Sequence, residues 1–251
     1  MELKSTIAEF IPDRIFATTV AYAHRRFEPI LRQVKMFVGP NQTAIDVGAW
    51  YGPWTHWLAR AAASVVTVEA NPELADFVRR TALPNVTVVS AAASDEEGTA
   101  TLWLPVGGKG TEGRASLHGQ GDGRSVEVTT MRLDSLDVAD VGLIKIDVEG
   151  HELQALRGAE GLVRKWRPML IVEVEDHRAP AADTLSLVDS WGYEGIYLKD
   201  GQWQPLADFD LVGHQAAMAE VSKESYLRAI ATRASDRYVN TIVFRPLPAH
   251  V

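Results

Sequence analysis

The sequence predicts an α/β fold in which a parallel sheet carries helices on both faces. Three observations lead to this prediction: short apolar runs alternate with segments of helical periodicity, several of those runs end in an acidic residue, and cysteine is absent. Repeated alternation of strand and helix is typical of parallel sheets, whose strands are buried on both sides. With 251 residues, the chain can bury a full core without disulfide bonds.

The predicted elements follow one another in a regular order along the chain. Residues 13–37 suggest one or two amphipathic helices, broken near Pro29. The predicted strands are 43–47, 65–69, 86–90, 142–147, 169–175, 194–198 and 240–244, with a β-ribbon over 99–104 and 125–133. The predicted helices begin at Pro53, span 72–82 and 151–158, and cover 180–191.

Residues 105–125 are predicted to form a flexible loop. Seven glycines fall within 107–123, and this composition cannot bury enough apolar surface to order itself. We therefore expect an N-terminal helical segment over 1–40, followed by a sheet domain over 41–251 that contains the Gly-rich loop.

Charge and hydropathy limit the classes of partner. The chain has 33 acidic and 25 basic residues and a net charge of −8, which argues against a general nucleic-acid binder. No apolar run reaches the ~20 residues that a membrane-spanning helix needs. The N-terminus lacks the continuous apolar stretch of a signal peptide, so we expect a cytoplasmic protein without a membrane span. The sequence leaves open whether the chain forms a homo-oligomer.

The first motif, DVGAWYG over 46–52, lies between a predicted strand and a predicted helix. Its glycines let the backbone turn sharply and approach a ligand, and ligands of open α/β sheets bind at the carboxyl ends of the strands. The spacing is not G-x-G-x-x-G, and Pro53 removes one N–H group that a pyrophosphate would need. A cofactor without phosphate is therefore favoured, although a purely structural turn is the alternative.

An acid follows at the end of the second predicted strand. Glu69 stands 23 residues after Asp46, and an acid at that place accepts hydrogen bonds from the ribose hydroxyls of a nucleoside. The alternative is an acid that only complements the macrodipole of the helix beginning near Asn71.

The second motif, LIKIDVEGHE, holds five ionisable groups within residues 145–152. A lysine in a central strand is costly unless it is paired, and Asp147 or Glu149 is the natural partner of Lys145. Such a cluster at the carboxyl end of a strand is a candidate site. An internal ion-pair network that stiffens the turn is the alternative.

The fifth predicted strand suggests a metal site. If the fourth and fifth strands are neighbours, Asp147 and Glu173 end side by side, and paired carboxylates suit Mg²⁺ or Mn²⁺. His214 is a candidate third ligand. The alternative is a carboxylate pair that binds only Lys145 and Arg178.

The chain resembles the FkbM family of S-adenosylmethionine-dependent methyltransferases. The resemblance lies in IDVGAWYGPWT (45–55), VEANP (68–72), AAASDEEGTATL (91–102), LIKIDVEGHELQALRGAE (143–160) and PMLIVEVE (168–175). It implies a Rossmann-like class I methyltransferase domain over 41–251. The implied sheet has seven strands in the order 3-2-1-4-5-7-6, with strand 7 antiparallel. One departure is Trp50, where the family usually has Asn.

The resemblance also implies the residues that bind the cofactor, S-adenosyl-L-methionine. Asp46 and Gly48 are expected near its methionine part, Glu69 at the ribose, and the segment 92–94 beside the adenine. The full predicted set is Asp46, Gly48, Tyr51, Gly52, Glu69, Asn71, Ala93 and Ser94.

The predicted activity is O-methylation of a hydroxyl on a sugar, an oligosaccharide or a glycosylated metabolite. We predict His151 as the general base, with Glu149 second, and Lys145 as a group that stabilises the developing alkoxide. By analogy with the catechol O-methyltransferase type, Asp147 and Glu173 are the predicted metal ligands. His214, in a polar stretch beyond the fifth predicted strand, is the candidate third ligand. A small-molecule or oligosaccharide acceptor is therefore the expected partner.

Two other functions stay open at this point. A nicotinamide-dependent oxidoreductase would also use Glu69, although the missing phosphate-loop glycine counts against it. A non-catalytic module could retain the fold, although the cluster around Lys145 argues against that function.

Overall fold

The computed structural model describes residues 11–104, 116–117, 124–219 and 238–248. Within these ranges the strands form two sheets. In chain order they are β1 (Thr43–Val47), β2 (Ser64–Glu69), β3 (Val86–Ser90), β4 (Ala92–Ala93), β5 (Gly98–Leu104), β6 (Arg124–Met131), β7 (Val141–Ile146), β8 (Met169–Glu173), β9 (Tyr193–Lys199), β10 (Gln202–Pro205) and β11 (Thr241–Pro246).

The larger sheet runs in the order β3-β2-β1-β7-β8-β11-β9-β10. The first five of these strands are parallel to their neighbours. Strand β11 is antiparallel to both β8 and β9, and β10 is antiparallel to β9. The carboxyl ends of the five parallel strands therefore meet at one edge, to which the amino end of β11 also belongs.

The sheet has eight strands, so the predicted seven-stranded sheet and its order are corrected. Strand β10 adds to the edge beyond β9 after a tight turn in which Asp200 and Gly201 have φ of 51° and 76°. Pro205 ends β10 and has no N–H group to donate, which suits an edge strand.

The smaller sheet, in the order β4-β6-β5, contains the predicted β-ribbon. Strands β5 and β6 are antiparallel along their length, and β4 lies parallel to β6. Of the predicted loop 105–125, only 116–117 and 124–125 belong to the described residues. Ser116 exchanges backbone hydrogen bonds with Trp103 at 3.0 and 3.1 Å.

Short helices cover the larger sheet. They are α1 (Asp13–Phe27), α2 (Pro53–Leu58), α3 (Pro72–Thr81), α4 (Glu152–Arg157), α5 (Glu160–Trp166), α6 (Ala181–Ser190) and α7 (Leu211–Ala217), with 3₁₀ helices over Pro29–Met36 and Leu133–Ser135. The predicted break near Pro29 is confirmed, because a proline removes an intrahelical donor. In the described ranges, no helix has both the length and the apolar character needed to cross a membrane.

The N-terminal segment packs directly against the helices that follow β1 and β2. The Phe16 ring meets the rings of Tyr51 and Phe77 edge-on, with centroid distances of 5.2 and 6.0 Å. The indole N–H of Trp57 donates to the Ala21 carbonyl at 3.0 Å, and that of Trp54 donates to Glu28 at 2.8 Å. Helix α1 and the 3₁₀ helix therefore lie beside the carboxyl end of β1.

Two hydrophobic clusters occupy the two faces of the larger sheet. Because side chains alternate along a strand, each central strand contributes to both clusters. One face carries Ile45, Ile144, Leu170 and Ile242, and the other carries Ala44, Leu143, Ile171 and Val243. Each fully buried Ile or Leu contributes ~1.5–3 kcal/mol to folding. The same alternation decides which face the polar residues at the strand ends occupy.

Candidate active site at the carboxyl ends of the strands

Three charged side chains share one face of the sheet, where the strands end. Asp46, Lys145 and Glu173 follow two residues after Ala44, Leu143 and Ile171, which belong to the cluster beside the N-terminal segment. Asp46 and Lys145 are direct neighbours in the pairing of β1 with β7. The fold therefore brings together the acids and the lysine that the two motifs and the fifth predicted strand indicate as functional.

Asp46 is fully buried at this edge. Its Oδ2 accepts a hydrogen bond from the Thr55 hydroxyl at 2.5 Å, and its Oδ1 lies 3.6 Å from the Lys145 ammonium but has no hydrogen-bond partner. Burial raises the pKa of Asp46, and the charge of Lys145 opposes that rise. An orphaned buried oxygen at the end of β1 fits a polar ligand at this place.

The turn from Gly48 to Gly52 leaves no room for a side chain at its start. Gly48 has φ of 77°, and a Cβ built on it would lie 1.7 Å from the carbonyl oxygen of Asp147. Trp50 and Gly52 also have positive φ, of 52° and 77°. The backbone at the end of β1 therefore packs directly against the end of β7, a structural reason for glycine at this position.

Glu69 is held by two backbone groups. Its Oε2 accepts from the N–H of Trp50 and its Oε1 from the N–H of Asn71, both at 2.9 Å. Burial raises the pKa of Glu69 to about 7, although these two hydrogen bonds lower it. A carboxylate has about four acceptor sites, so further sites remain for the two hydroxyls of a ribose. This geometry fits the predicted role.

Other residues of the predicted cofactor set have structural contacts. The Tyr51 ring lies in an aromatic cluster with Phe16 and Phe77. The Asn71 side chain caps α3 by accepting from the Glu73 N–H at 3.0 Å. Ala93 is buried in β4.

Lys145 ties the ends of β1 and β7 together. Its ammonium donates to the Gly48 carbonyl at 3.0 Å and lies 3.3 Å from Asp147. Burial alone would lower the pKa of Lys145, but the carboxylates of Asp147 and Asp46 outweigh burial and raise it. Lys145 is therefore a permanent cation beneath the site.

Asp147 and Glu173 lie side by side, as predicted, and shift each other's pKa. Burial and the neighbouring Asp147 carboxylate raise the pKa of Glu173 well above its usual value. Burial also acts upward on Asp147, but Lys145 and a hydrogen bond with Glu173 outweigh it and lower the pKa of Asp147. The pKa values of these two neighbouring carboxyls therefore shift in opposite directions. The Asn240 amide also donates to Glu173 and reaches Glu175 at 3.2 Å.

Glu149 belongs to an ion-pair bridge. Arg178 contacts Glu149 at 2.6 Å and Glu175 at 2.9 Å, which joins the loop after β7 to the segment after β8. Burial, followed by the charge of Asp147, raises the pKa of Glu149 to about 8 despite Arg178. Glu152 accepts from the Gly150 N–H at 3.0 Å and so shapes the same loop.

His151 is buried before the first residue of α4. Its Nε2 lies 3.0 Å from the Ser94 hydroxyl, which itself donates to Asp95 at 3.2 Å. Ser94, predicted beside the adenine, thus also contacts the predicted base.

The predicted metal site of Asp147, Glu173 and His214 is corrected. Throughout the described ranges, no three histidine or acidic side chains form a group that could hold a metal ion. The Nε2 lone pair of His214 accepts from the Val239 N–H at 3.1 Å, and Glu173 is engaged by Asn240 and Asp147. These residues do not fit Mg²⁺ or Mn²⁺ as a set.

Sequence reasoning missed Asn240 and Glu28 as members of this region. Asn240 precedes the antiparallel strand β11, so it arrives at the edge where β8 ends. The charge of Glu28 acts on Lys145 from the N-terminal segment. The predicted antiparallel last strand could have indicated Asn240, because such a strand begins at the edge where the parallel strands end. Nothing in the sequence pattern pointed to Glu28.

A family comparison shows which family the chain belongs to. The sequence profile described as "Methyltransferase FkbM domain" matches residues 46–194, more than half of the chain. The chain belongs to the FkbM methyltransferase family. This membership confirms the resemblance to the FkbM family and does not favour the nicotinamide alternative. A comparison with curated proteins finds no match.

Solved methyltransferases have a similar fold at low sequence identity. Methyltransferase FkbM from Methylobacillus flagellatus KT is 16% identical, with 67% of this chain and 43% of that chain covered and a TM-score of 0.46. This FkbM chain thus spans less than half of that protein. A Streptococcus mutans methyltransferase in complex with SAH is 9% identical, with 85% and 93% covered and a TM-score of 0.46. TYW2 from M. jannaschii, in complex with AdoMet, is 13% identical, with 87% and 75% covered and a TM-score of 0.40.

Proposed function

We propose that this FkbM protein transfers the methyl group of S-adenosylmethionine to a hydroxyl of a sugar, an oligosaccharide or a glycosylated metabolite. The observation that carries the proposal is the Glu69 carboxylate, held by two backbone N–H groups at the end of β2 beside the glycine turn. Two adjacent ribose hydroxyls need such an acceptor. The acid cluster at the ends of β7 and β8 then faces the acceptor.

The strand ends suit a cationic nucleoside in shape and in charge. The glycine turn over 48–52 follows β1 at this edge, and the orphaned Oδ1 of Asp46 offers an acceptor. When bound, S-adenosylmethionine supplies an electrophilic methyl group on a sulfonium. The protein must then align the acceptor oxygen, and alignment alone can lower the barrier by up to ~7–11 kcal/mol.

A sugar hydroxyl also has to lose its proton. We assign the general base to His151, held by Ser94, with Glu149 as the second candidate. With its pKa raised to about 8, Glu149 can take up and release a proton near neutral pH. A positioned base of this kind typically contributes ~10²–10⁴-fold in rate. Lys145 would act electrostatically on the developing alkoxide from beneath the site.

No step of this proposal passes through a metal ion, because the predicted ligands are engaged with other partners. All the predictions for cofactor binding stay predictions. They concern Asp46, Gly48, Tyr51, Gly52, Glu69, Asn71, Ala93 and Ser94. Backbone contacts are the natural contribution of Gly52 and Ala93, which offer no polar side chain.

Calorimetric titration tests the cofactor half of the proposal. We expect the full chain to bind S-adenosylhomocysteine and not NAD. Glu69→Gln should weaken binding about tenfold, because an amide cannot accept at both of its terminal atoms. Glu97→Gln, an exposed glutamate on the loop before β5, is the matched control. Binding of NAD alone would refute the proposal.

Transfer of a labelled methyl group tests the acceptor half. The enzyme should label a hydroxyl-bearing saccharide or glycoside in a panel that also contains amines and thiols. Label found only on nitrogen or sulfur acceptors would leave a methyltransferase but contradict O-methylation.

A further inference from the structure

We propose that the acceptor carries an oxyanion, a phosphate or a carboxylate, and that Arg26 and Arg32 bind that group. This inference rests on the proposed function and adds the charge of the substrate. It derives from a cavity beside the strand ends and from two arginines at its wall.

The cavity lies between the N-terminal segment, the β9–β10 hairpin and the start of β11. Its volume is about 490 Å³, which is in the range of small-molecule sites. Pro29, Ile30 and Leu198 give it apolar walls, and Asn240 and Thr241 give it polar ones. A hydroxylated ring with one charged substituent matches this mixture of surfaces.

The inner wall of the cavity adjoins the acid cluster. Asn240 lines the cavity, and its amide donates to Glu173 and Glu175. Thr241, the next lining residue, pairs with Glu173 across β8 and β11. An acceptor in the cavity can therefore direct a hydroxyl toward the strand ends where Asp147 lies.

The two arginines offer donors to a ligand. Within the described residues, the Arg26 side chain makes no hydrogen bond or ion pair. Arg32 donates from Nε to the Arg25 carbonyl at 2.9 Å and from Nη2 to the Arg26 carbonyl at 3.1 Å. These bonds orient its guanidinium and leave Nη1 to a ligand. A guanidinium with fixed orientation is the group that recognises carboxylate or phosphate oxygens best.

Two acids, Glu28 and Asp200, line the cavity together with the two arginines. Glu28 is engaged, because its Oε2 accepts from the Trp54 indole at 2.8 Å and lies 2.9 Å from Nε2 of His24. Asp200 lies in the turn of the opposite hairpin. A protein with net charge −8 repels anions in general, so an anion needs local cations to bind.

The experiment is calorimetric titration of the full chain, saturated with S-adenosylhomocysteine, with glucose 1-phosphate, glucuronate and glucose. We expect at least one anionic sugar to bind about tenfold more tightly than glucose. Comparison of the titration with glucose 1-phosphate and the titration with glucuronate identifies which oxyanion the protein prefers. Arg26→Gln and Arg32→Gln should each remove most of that preference, and Asp200→Asn should strengthen it.

Arg14→Gln is the matched control. It makes the same change of charge at an exposed position of α1, about 18 Å along the helix from Arg26. It should leave anion binding unchanged. Equal binding of all three sugars, no binding of either anion, or equal losses in the Arg14 and Arg26 variants would overturn the inference. A separate titration of each ligand-free protein with S-adenosylhomocysteine keeps this failure distinct from failure of the proposed function.

Discussion

Gly48 has the least steric freedom among the residues of the site. Its φ of 77° would strain the backbone of any residue with a side chain, and the Asp147 carbonyl would overlap with an added Cβ. These are two separate costs. Gly48→Ala should cost about 1–2 kcal/mol for the left-handed backbone, and crowding of this kind typically adds about 1–3 kcal/mol. Unfolding in urea, followed by circular dichroism, measures the total loss.

Gly201→Ala is the control that separates the two costs. Gly201 has φ of 76° in the β9–β10 turn, and a Cβ added there would meet no atom within 4 Å. It should show only the backbone cost. Equal losses of stability in the two variants would show that contact with Asp147 does not restrict Gly48.

The loops after β7 and β8 depend on each other through Arg178. Removing this arginine leaves Glu149 and Glu175 as facing carboxyls without their shared cation. We expect Arg178→Gln to lower the free energy of unfolding by about 1–3 kcal/mol, the usual cost of leaving a partly buried polar group unsatisfied.

The exposed pair of Arg164 and Glu160 on α5 provides the comparison. Arg164→Gln should cost less than about 1 kcal/mol, because solvent screens such pairs. Losses of the same size in both variants, measured by urea unfolding, would mean that the Arg178 bridge adds no more than an ordinary surface pair.

The strand ends were predictable from sequence because a buried apolar run followed by an acid is a local pattern. Asp46, Glu69 and Asp147 all follow that pattern. Strand β10 was not predictable, since four residues with one apolar side chain give no periodicity. Asn240 reaches Glu173 from 67 residues away, and only the topology brings the two together. The engagement of His214 with Val239 is likewise a matter of tertiary packing.

The protein as a whole should lose stability as pH rises from about 6.5 to about 8. Burial raises the pKa of Glu69 from 4.5 to about 7 and that of Glu149 from 4.5 to about 8, so across that range the folded state binds more protons than the unfolded state. Stability then falls with pH. Burial lowers the pKa of His56 from 6.5 to about 4, so this histidine makes stability rise with pH only below about pH 6.5. It does not offset the decline at higher pH.

Urea unfolding across this pH range measures the effect. Glu69→Gln should give a shallower decline than the wild-type protein, because it removes one of the titrating acids. Stability that rises with pH over the same range would contradict the assignment of raised pKa values at the strand ends.

A crystal structure with S-adenosylhomocysteine tests the central claim most directly. We predict that the ligand lies across the ends of β1 and β2, with both ribose hydroxyls within about 3 Å of the Glu69 carboxylate. Its sulfur should point toward the ends of β7 and β8. A nucleoside bound elsewhere, with Glu69 still contacting only the backbone of Trp50 and Asn71, would contradict the account.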